Sequence, residues 1–289
     1  MSALVVKAGP LTTVQDLGRT GVARVGLSPG GAMDQKALTW ANRLLGNRPD
    51  TPGLEVALGG LVLEFDEDAV VAVTGADTEW KAVGIEAGGR LELGYSVRGR
   101  FQYVAFPGGL KAPVFGGSAS VVLREGIAGF APLRKGSRLT WKGDAASAGD
   151  FVPERFRPAP SERLAVSFVP GYEWTEFSGE DRSRFLQTDW VISPNSDRVA
   201  TRLGGAFLKS GPRVLDSVPL IDGTIQVLGN GTPLIFMRDR PTIGGYAKLG
   251  AVLPFDLDDV AQAVAGTRVR FTPVDAAEAR RMAPPLSID

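Results

Sequence analysis

Apolar residues in this chain come in short runs, and the spacing at which they recur changes after residue 50. Leu4-Val5-Val6 is a first brief run, closed by Gly9-Pro10, and reads as a strand. Over 33–45 the apolar positions Ala37, Leu38, Ala41, Leu44 and Leu45 fall on one helical face, so the spacing predicts a helix. Asp34 is expected in its first turn, where a negative charge suits the helix dipole, and Gly46-Asn47 with Pro49 supplies the stop. From Leu54 the runs shorten to strand length: 54–58, 61–65 and 69–73, parted by Gly59-Gly60 and Asp66-Glu67-Asp68. That order predicts a meander of hairpins. Further strands are expected at 90–93, 101–106 and 138–141, with Gly108-Gly109 and Gly116-Gly117 between the last two.

The later half repeats the style. A strand is expected over 164–169, and Ser178-Gly179-Glu180-Asp181 starts a helix that runs to Leu186. A polar turn over 193–198, strands over 224–228 and 233–237 around Gly229-Asn230-Gly231, a helix from Asp256 to Ala263, a strand over 268–271 and a helix over 275–282 complete the reading. Residues 144–160 are small or proline-rich, which suits an exposed connection and a first site of limited proteolysis. The expectation is therefore a mainly β fold of two related halves, 1–148 and 149–289, with a few short helices. Glycine occurs 37 times and proline 20 times in 289 residues, as tight turns between short strands require.

Charge and composition remove whole classes of function. Lys+Arg and Asp+Glu both count 32, so no basic surface for nucleic acid is expected. Neither cysteine nor histidine occurs, which rules out thiol chemistry, imidazole–zinc sites and Ser-His-Asp catalysis. Proton transfer falls to Asp, Glu, Lys, Tyr or another chain, and no metal site is expected. No apolar stretch approaches the roughly 20 residues that span a bilayer, and no signal peptide is read, so a cytoplasmic protein is expected.

Two Gly-punctuated polar stretches carry the candidate chemistry. The first is Thr12-Thr13-Val14-Gln15-Asp16-Leu17-Gly18-Arg19-Thr20-Gly21, continued by Gly30-Gly31-Ala32-Met33-Asp34. The second, Asp239-Arg240-Pro241-Thr242-Ile243-Gly244-Gly245-Tyr246, follows the apolar run Leu234-Ile235-Phe236-Met237. Glycines there let backbone N–H groups meet an anion, while Tyr246 and Lys248 add a phenol and an ammonium. Each stretch also has a plain structural reading, as turns around a helix start and as a hairpin with a local Asp–Arg pair. On the functional reading the two loops serve one site, and Asp239→Asn lowers activity with little change in the thermal midpoint.

The motifs Val14-Gln15-Asp16-Leu17-Gly18-Arg19-Thr20-Gly21, Gly31-Ala32-Met33-Asp34, Ala41-Asn42-Arg43-Leu44-Leu45-Gly46-Asn47 and Leu54-Glu55 together resemble the allophanate hydrolase subunit 2 family. Ser196-Asp197-Arg198, Arg202-Leu203, Gly223-Thr224-Ile225-Gln226 and residues 239–246 resemble its second half. The resemblance covers essentially the whole chain. It implies cyclophilin-like β-barrels and a subunit of an ATP-dependent 5-oxoprolinase, which opens a lactam to glutamate. It also implies a B-like partner from the allophanate hydrolase subunit 1 family and a lactam-opening A-like subunit, with little activity of this chain alone. ATP with Mg is implied, shared with the partner because no P-loop is present. The alternatives are a carboxyltransferase-like module using biotin on another chain to carboxylate urea or an amide, and a non-enzymatic regulator binding a kinase-inhibitor partner.

On this resemblance Asp16, Asp239, Arg198 and Gln226 are the expected catalytic residues. Gln15, Arg19, Asp34, Arg240, Thr242, Tyr246 and Lys248 are expected to bind the small amide or lactam or its phosphate. Guanidinium groups pair bidentately with phosphate and carboxylate, and carboxylates or carboxamides suit the lactam N–H. The chain departs from the family pattern at Gly117-Ser118-Ala119-Ser120-Val121, which lacks an arginine, and at Ala128-Gly129-Phe130-Ala131-Pro132-Leu133. In the second loop Thr242-Ile243 stands where paired threonines are usual. The first two departures imply an altered polar cluster in the first half.

Overall fold

The short runs do form strands. The computed structural model describes residues 1–143, 148–158, 161–209 and 216–282. It is mainly β and divides into two compact units, Met1–Pro160 and Ser161–Asp289.

The first unit runs β1 (Ser2–Ala8), β2 (Leu11–Gln15), α1 (Gln35–Leu44), β3 (Gly53–Ala57), β4 (Leu61–Phe65), β5 (Ala69–Gly75), β6 (Lys81–Ile85), β7 (Arg90–Glu92), β8 (Phe101–Ala105) and β9 (Arg138–Thr140). These strands make a four-stranded sheet, β7-β4-β1-β9, and a five-stranded one, β2-β3-β8-β5-β6. Ala3, Val5, Leu61, Leu63 and Phe65 of the first meet Leu54, Val56, Val71, Val73 and Val104 of the second, with Phe106 and Trp141 closing the core. Burying each large side chain there stabilises by about 1.5–3 kcal/mol.

The expected meander is not what forms. β3 lies between β2 and β8, and β4 between β1 and β7, so β4 pairs with neither β3 nor β5. Leu58, Gly59 and Gly60 all have left-handed φ (61°, 77° and 81°), which carries the chain out of one sheet and into the other instead of folding it back on itself. Two strands of this unit, β2 and β6, escaped the sequence reading; β2 takes up the first part of the first polar stretch.

Helix α1 lies on the outer face of the five-stranded sheet, where Ala41 and Leu45 pack on Ala72, Ala82 and Ala105. It starts two residues later than the apolar spacing suggests. Asp34 is extended (φ −104°, ψ 93°) and caps the helix, accepting from the Ala37 N–H at 2.8 Å. Asp34→Ala should lower stability by about 1 kcal/mol, read from the midpoint of urea unfolding; an unchanged midpoint would remove the cap from the account.

Residues 148–158 stay with this unit. Phe151 bridges Lys81, and the Ala82 and Val152 N–H groups bond to Asp150 and Trp80 carbonyls at 2.8 Å. Asp144 to Ser147, the featureless part of the expected connection, lies outside the described residues, as do residues 159–160.

The second unit runs β10 (Arg163–Pro170), α2 (Gly179–Gln187), β11 (Trp190–Ile192), β12 (Ala200–Gly204), β13 (Val218–Pro219), β14 (Thr224–Val227), β15 (Pro233–Phe236), β16 (Ile243–Gly244), β17 (Lys248–Val252), α3 (Pro254–Gln262), β18 (Arg268–Pro273) and α4 (Ala276–Met282). Seven of its strands close into a barrel, β10-β17-β14-β15-β12-β11-β18, in which β10 and β18 run parallel. The small ribbon β13-β16 stands apart. Helix α2 is capped by Ser178 and drives Phe185 into an aromatic cluster, stacked on Phe271 at 4.6 Å and edge-on to Phe168 at 5.5 Å.

Candidate functional site

The first polar stretch is strand up to Gln15 and loop from Asp16. Gly18, Gly30 and Gly31 all have left-handed φ, and a Cβ on Gly18 would lie 2.6 Å from the Gly30 carbonyl oxygen. Two loop segments therefore touch backbone to backbone, joined by Arg19 N–H to Pro29 O and Ala32 N–H to Asp16 O, both 2.8 Å. Asp16 is the knot beneath them. Its carboxylate accepts from the hydroxyls of Ser118 and Ser120 (both 2.6 Å) and the N–H groups of Ala119 (2.7 Å) and Gly18 (2.8 Å). Arg19 is buried beside it, donating to the carbonyls of Phe115 (3.0 Å) and Ser120 (2.6 Å).

The turn that departs from the family pattern is thus a built part of this knot. Ser118 and Ser120 supply hydroxyls, and Ala119 supplies its backbone N–H, so the polar cluster persists without an arginine side chain.

Strand register explains the other polar groups of this unit. Thr13, Glu55, Tyr103 and Thr74 are successive cross-strand partners on β2, β3, β8 and β5, so they form one row on the sheet face that carries α1. Glu55 Oε2 accepts from Tyr103 Oη (2.8 Å) and from the Met33 N–H (2.7 Å), and Tyr103 Oη accepts from the Asp34 N–H (2.8 Å). Burial, with the Glu55 carboxylate as the next cause, raises the Tyr103 hydroxyl well above the usual phenol range, so it remains a neutral donor. Gln15 is fully buried, its amide NH2 donating to Val121 O (2.9 Å) and Thr13 Oγ1 (3.0 Å).

The second polar stretch follows β15. Asp239 and Arg198 form a buried bidentate pair, Nε to Oδ2 at 2.9 Å and Nη2 to Oδ1 at 2.8 Å, and the Asp239 N–H bonds to the Arg198 carbonyl. The residues on either side turn the other way. Arg238 joins Asp222 (2.9 Å) to Asp258 on α3 (3.0 Å), and Arg240 donates to Asp222 at 2.7 Å. Three consecutive charged residues therefore pin the turn to three different segments.

Beyond it, Thr242 is half-buried and Tyr246 is 45% exposed. A bulge between β14 and β17 sets Gln226 opposite Lys248, so both side chains reach the same object, the Tyr246 carbonyl, at 2.8 and 3.2 Å. Glu173 closes the group, accepting from the Lys248 N–H (2.6 Å) and its ammonium (3.3 Å).

Of the residues expected from the sequence, Gln15, Asp16, Arg19 and Asp34 come together in the first unit, and Arg198, Asp239 and Arg240 in the second. Gln226, Tyr246 and Lys248 form a separate group there, with Thr242 on the way to it. Ser118, Ser120 and Glu55 stand in the quoted motifs but not among the expected site residues, and Tyr103, Asp222, Asp258 and Glu173 are in neither. A lone Glu inside the apolar run Leu54-Glu55-Val56 was a usable signal, and so were the serines alternating at 118 and 120; Glu173 had none. Among the described residues, no helix is long and apolar enough to cross a membrane.

The chain thus comprises a β barrel and a two-sheet unit, each with a glycine-rich loop fixed by a buried carboxylate, and its sequence has no P-loop. Residues 25–273 match the model of the carboxyltransferase domain, subdomain A and B. The chain belongs to this family. It is 34% identical to the C subunit of 5-oxoprolinase from Escherichia coli (strain K12), across 95% of this chain and 92% of that protein. Among solved structures it is similar to K. lactis urea amidolyase (TM-score 0.90, 25% identity, 97% of this chain) and Kluyveromyces lactis urea carboxylase (TM-score 0.89, 26% identity, 97% of this chain). It spans only 19% and 28% of those two chains.

Proposed function

We propose that this chain is the C subunit of a 5-oxoprolinase, which with other subunits hydrolyses the lactam of 5-oxoproline to glutamate. The full-length match to the Escherichia coli protein carries this reading, because it takes in both units and both polar loops. The similarity to urea carboxylase supports a second reading, carboxyl transfer to a urea-like amide. The substrates share a planar amide, so one wall of donors and acceptors would suit either.

The residues fit a lactam better than a nucleotide. Arg198 and Arg240 are committed to Asp239 and Asp222, and Arg19 to two carbonyls. No P-loop is present. We therefore assign ATP, where the reaction uses it, to a B-like or A-like partner chain. What this chain offers is the segment Thr242-Ile243-Gly244-Gly245-Tyr246, with a hydroxyl, a phenol and the Gly245 N–H for the lactam and its carboxylate, the Gly244 N–H being taken up by the β13-β16 ribbon. Asp16 and Asp239, expected as catalytic, act in this reading by fixing the loops.

Reconstitution tests it. The chain alone should show no 5-oxoproline-dependent ATP hydrolysis, and addition of the other two subunits should produce glutamate and ADP together. Turnover by the single chain would sink the assembly. Biotin-dependent carboxylation of urea, with no glutamate formed, would favour the second reading.

A further inference from the structure

The carboxylate of Glu173 is buried at the start of barrel strand β17 and has no part in the roles assigned above. It lies in the 3-10 turn Tyr172–Glu176, which the Gly171 N–H ties to the Leu249 carbonyl at 3.0 Å. From there it holds Lys248 twice, by main chain and by ammonium. A buried ammonium needs a counter-charge and hydrogen-bond acceptors. Lys248 finds the charge in Glu173 and a second acceptor in the Tyr246 carbonyl. Gln226 donates to that same carbonyl, so both of its lone pairs are taken and the peptide plane after Tyr246 is fixed from two sides. Glycine at 244 lets the chain pass close, since a Cβ there would sit 3.0 Å from the Gln226 amide nitrogen. Inside is an ion pair and a carboxamide; outside are Ile243 and Tyr246, both exposed.

We propose that Glu173 is a positioning residue: through Lys248 it sets the Tyr246 carbonyl, and with it the outward face of the Gly244-Gly245-Tyr246 turn that meets the amide substrate. This rests on the 5-oxoprolinase reading. Gln226 and Lys248 then act on the turn from behind, the Gly244 N–H is spent on the β13-β16 ribbon, and Tyr246 with the Gly245 N–H touches the ligand.

The test uses the full chain, alone and assembled with the other subunits. Glu173→Gln keeps an oxygen for the Lys248 N–H but removes the charge; Lys248→Met removes the ammonium at similar length; the double variant leaves no buried charge unpaired. In the assembled enzyme, Glu173→Gln should raise KM for 5-oxoproline about tenfold with kcat within about twofold, as loss of a binding-face geometry does. Lys248→Met should do the same, and the double variant no more than either, because the two act as one unit. A lowered thermal midpoint with KM unchanged in all three would reduce the pair to scaffold and overturn the proposal. Amide hydrogen exchange on the chain alone gives an independent reading: residues 243–247 should exchange faster in Glu173→Gln while β10 and β18 keep their protection. Unchanged exchange at 243–247 would also overturn it. If the wild-type assembly does not turn over 5-oxoproline, the function reading fails and takes the role in that reaction with it, and the exchange result alone then decides whether Glu173 holds the turn.

Discussion

Asp239→Ala is expected to destabilise the second unit by about 3–5 kcal/mol, a fall of roughly 10–15 °C in its thermal midpoint. The carboxylate is buried, and both its oxygens are held by the Arg198 guanidinium at 2.8 and 2.9 Å. Removing it leaves a buried positive charge without its counter-ion, which is where the large cost of breaking such pairs arises. Replacing both partners, as Arg198→Met with Asp239→Leu, should recover much of the loss, since the pair's net worth is smaller than the penalty for half of it. This reverses the outcome that the residue type alone suggested, lost activity at an unchanged midpoint. Urea unfolding of the single chain, set beside activity per folded molecule in the assembled enzyme, separates the two. An unchanged midpoint with abolished turnover would return Asp239 to a chemical role.

Asp16→Ala should cost nearly as much, on the order of 3–4 kcal/mol, because each buried donor left without an acceptor costs about 1–3 kcal/mol. Four donors converge on this carboxylate. The hydroxyls of Ser118 and Ser120 can rotate to other acceptors, but the N–H groups of Gly18 and Ala119 are fixed by the backbone. Asp16→Asn keeps one oxygen and should lose about half as much. Ser118→Ala made on top of Asp16→Ala should add little, since their shared bond is already gone. Chemical denaturation of the four proteins in that cycle gives the coupling directly. Full stability in Asp16→Asn with lost turnover would show that the charge serves chemistry and not the loop.

Both predictions concern carboxylates expected from the sequence to be catalytic, which the structure buries in hydrogen bonds within their own unit. A charged residue beside glycines reads the same whether it faces a ligand or a partner within the chain. Asp16 became a knot only when Ser118 and Ser120, a hundred residues on, were brought against it. Arg238, Asp239 and Arg240 looked like one polar loop, yet they turn to Asp222, Asp258 and Arg198, which lie on other segments. Glu173 could not be read at all, because its partner Lys248 is 75 residues away and nothing near it breaks a pattern.

What the chain determined by itself is what depends on spacing and local backbone preference. Helical periodicity located α1, the Ser178 cap located α2, and short apolar runs between glycines and prolines made the protein mainly β. The absence of cysteine and histidine excluded whole chemistries before any fold was known. Which strand lies beside which was decided by the tertiary structure. Left-handed backbone at Leu58, Gly59 and Gly60 sends β3 and β4 into different sheets, although their sequences would suit a hairpin equally well. The physical reason is that periodicity records which face of an element is buried, whereas pairing depends on the burial and hydrogen-bond demands of residues distant in sequence, which only the folded chain satisfies together.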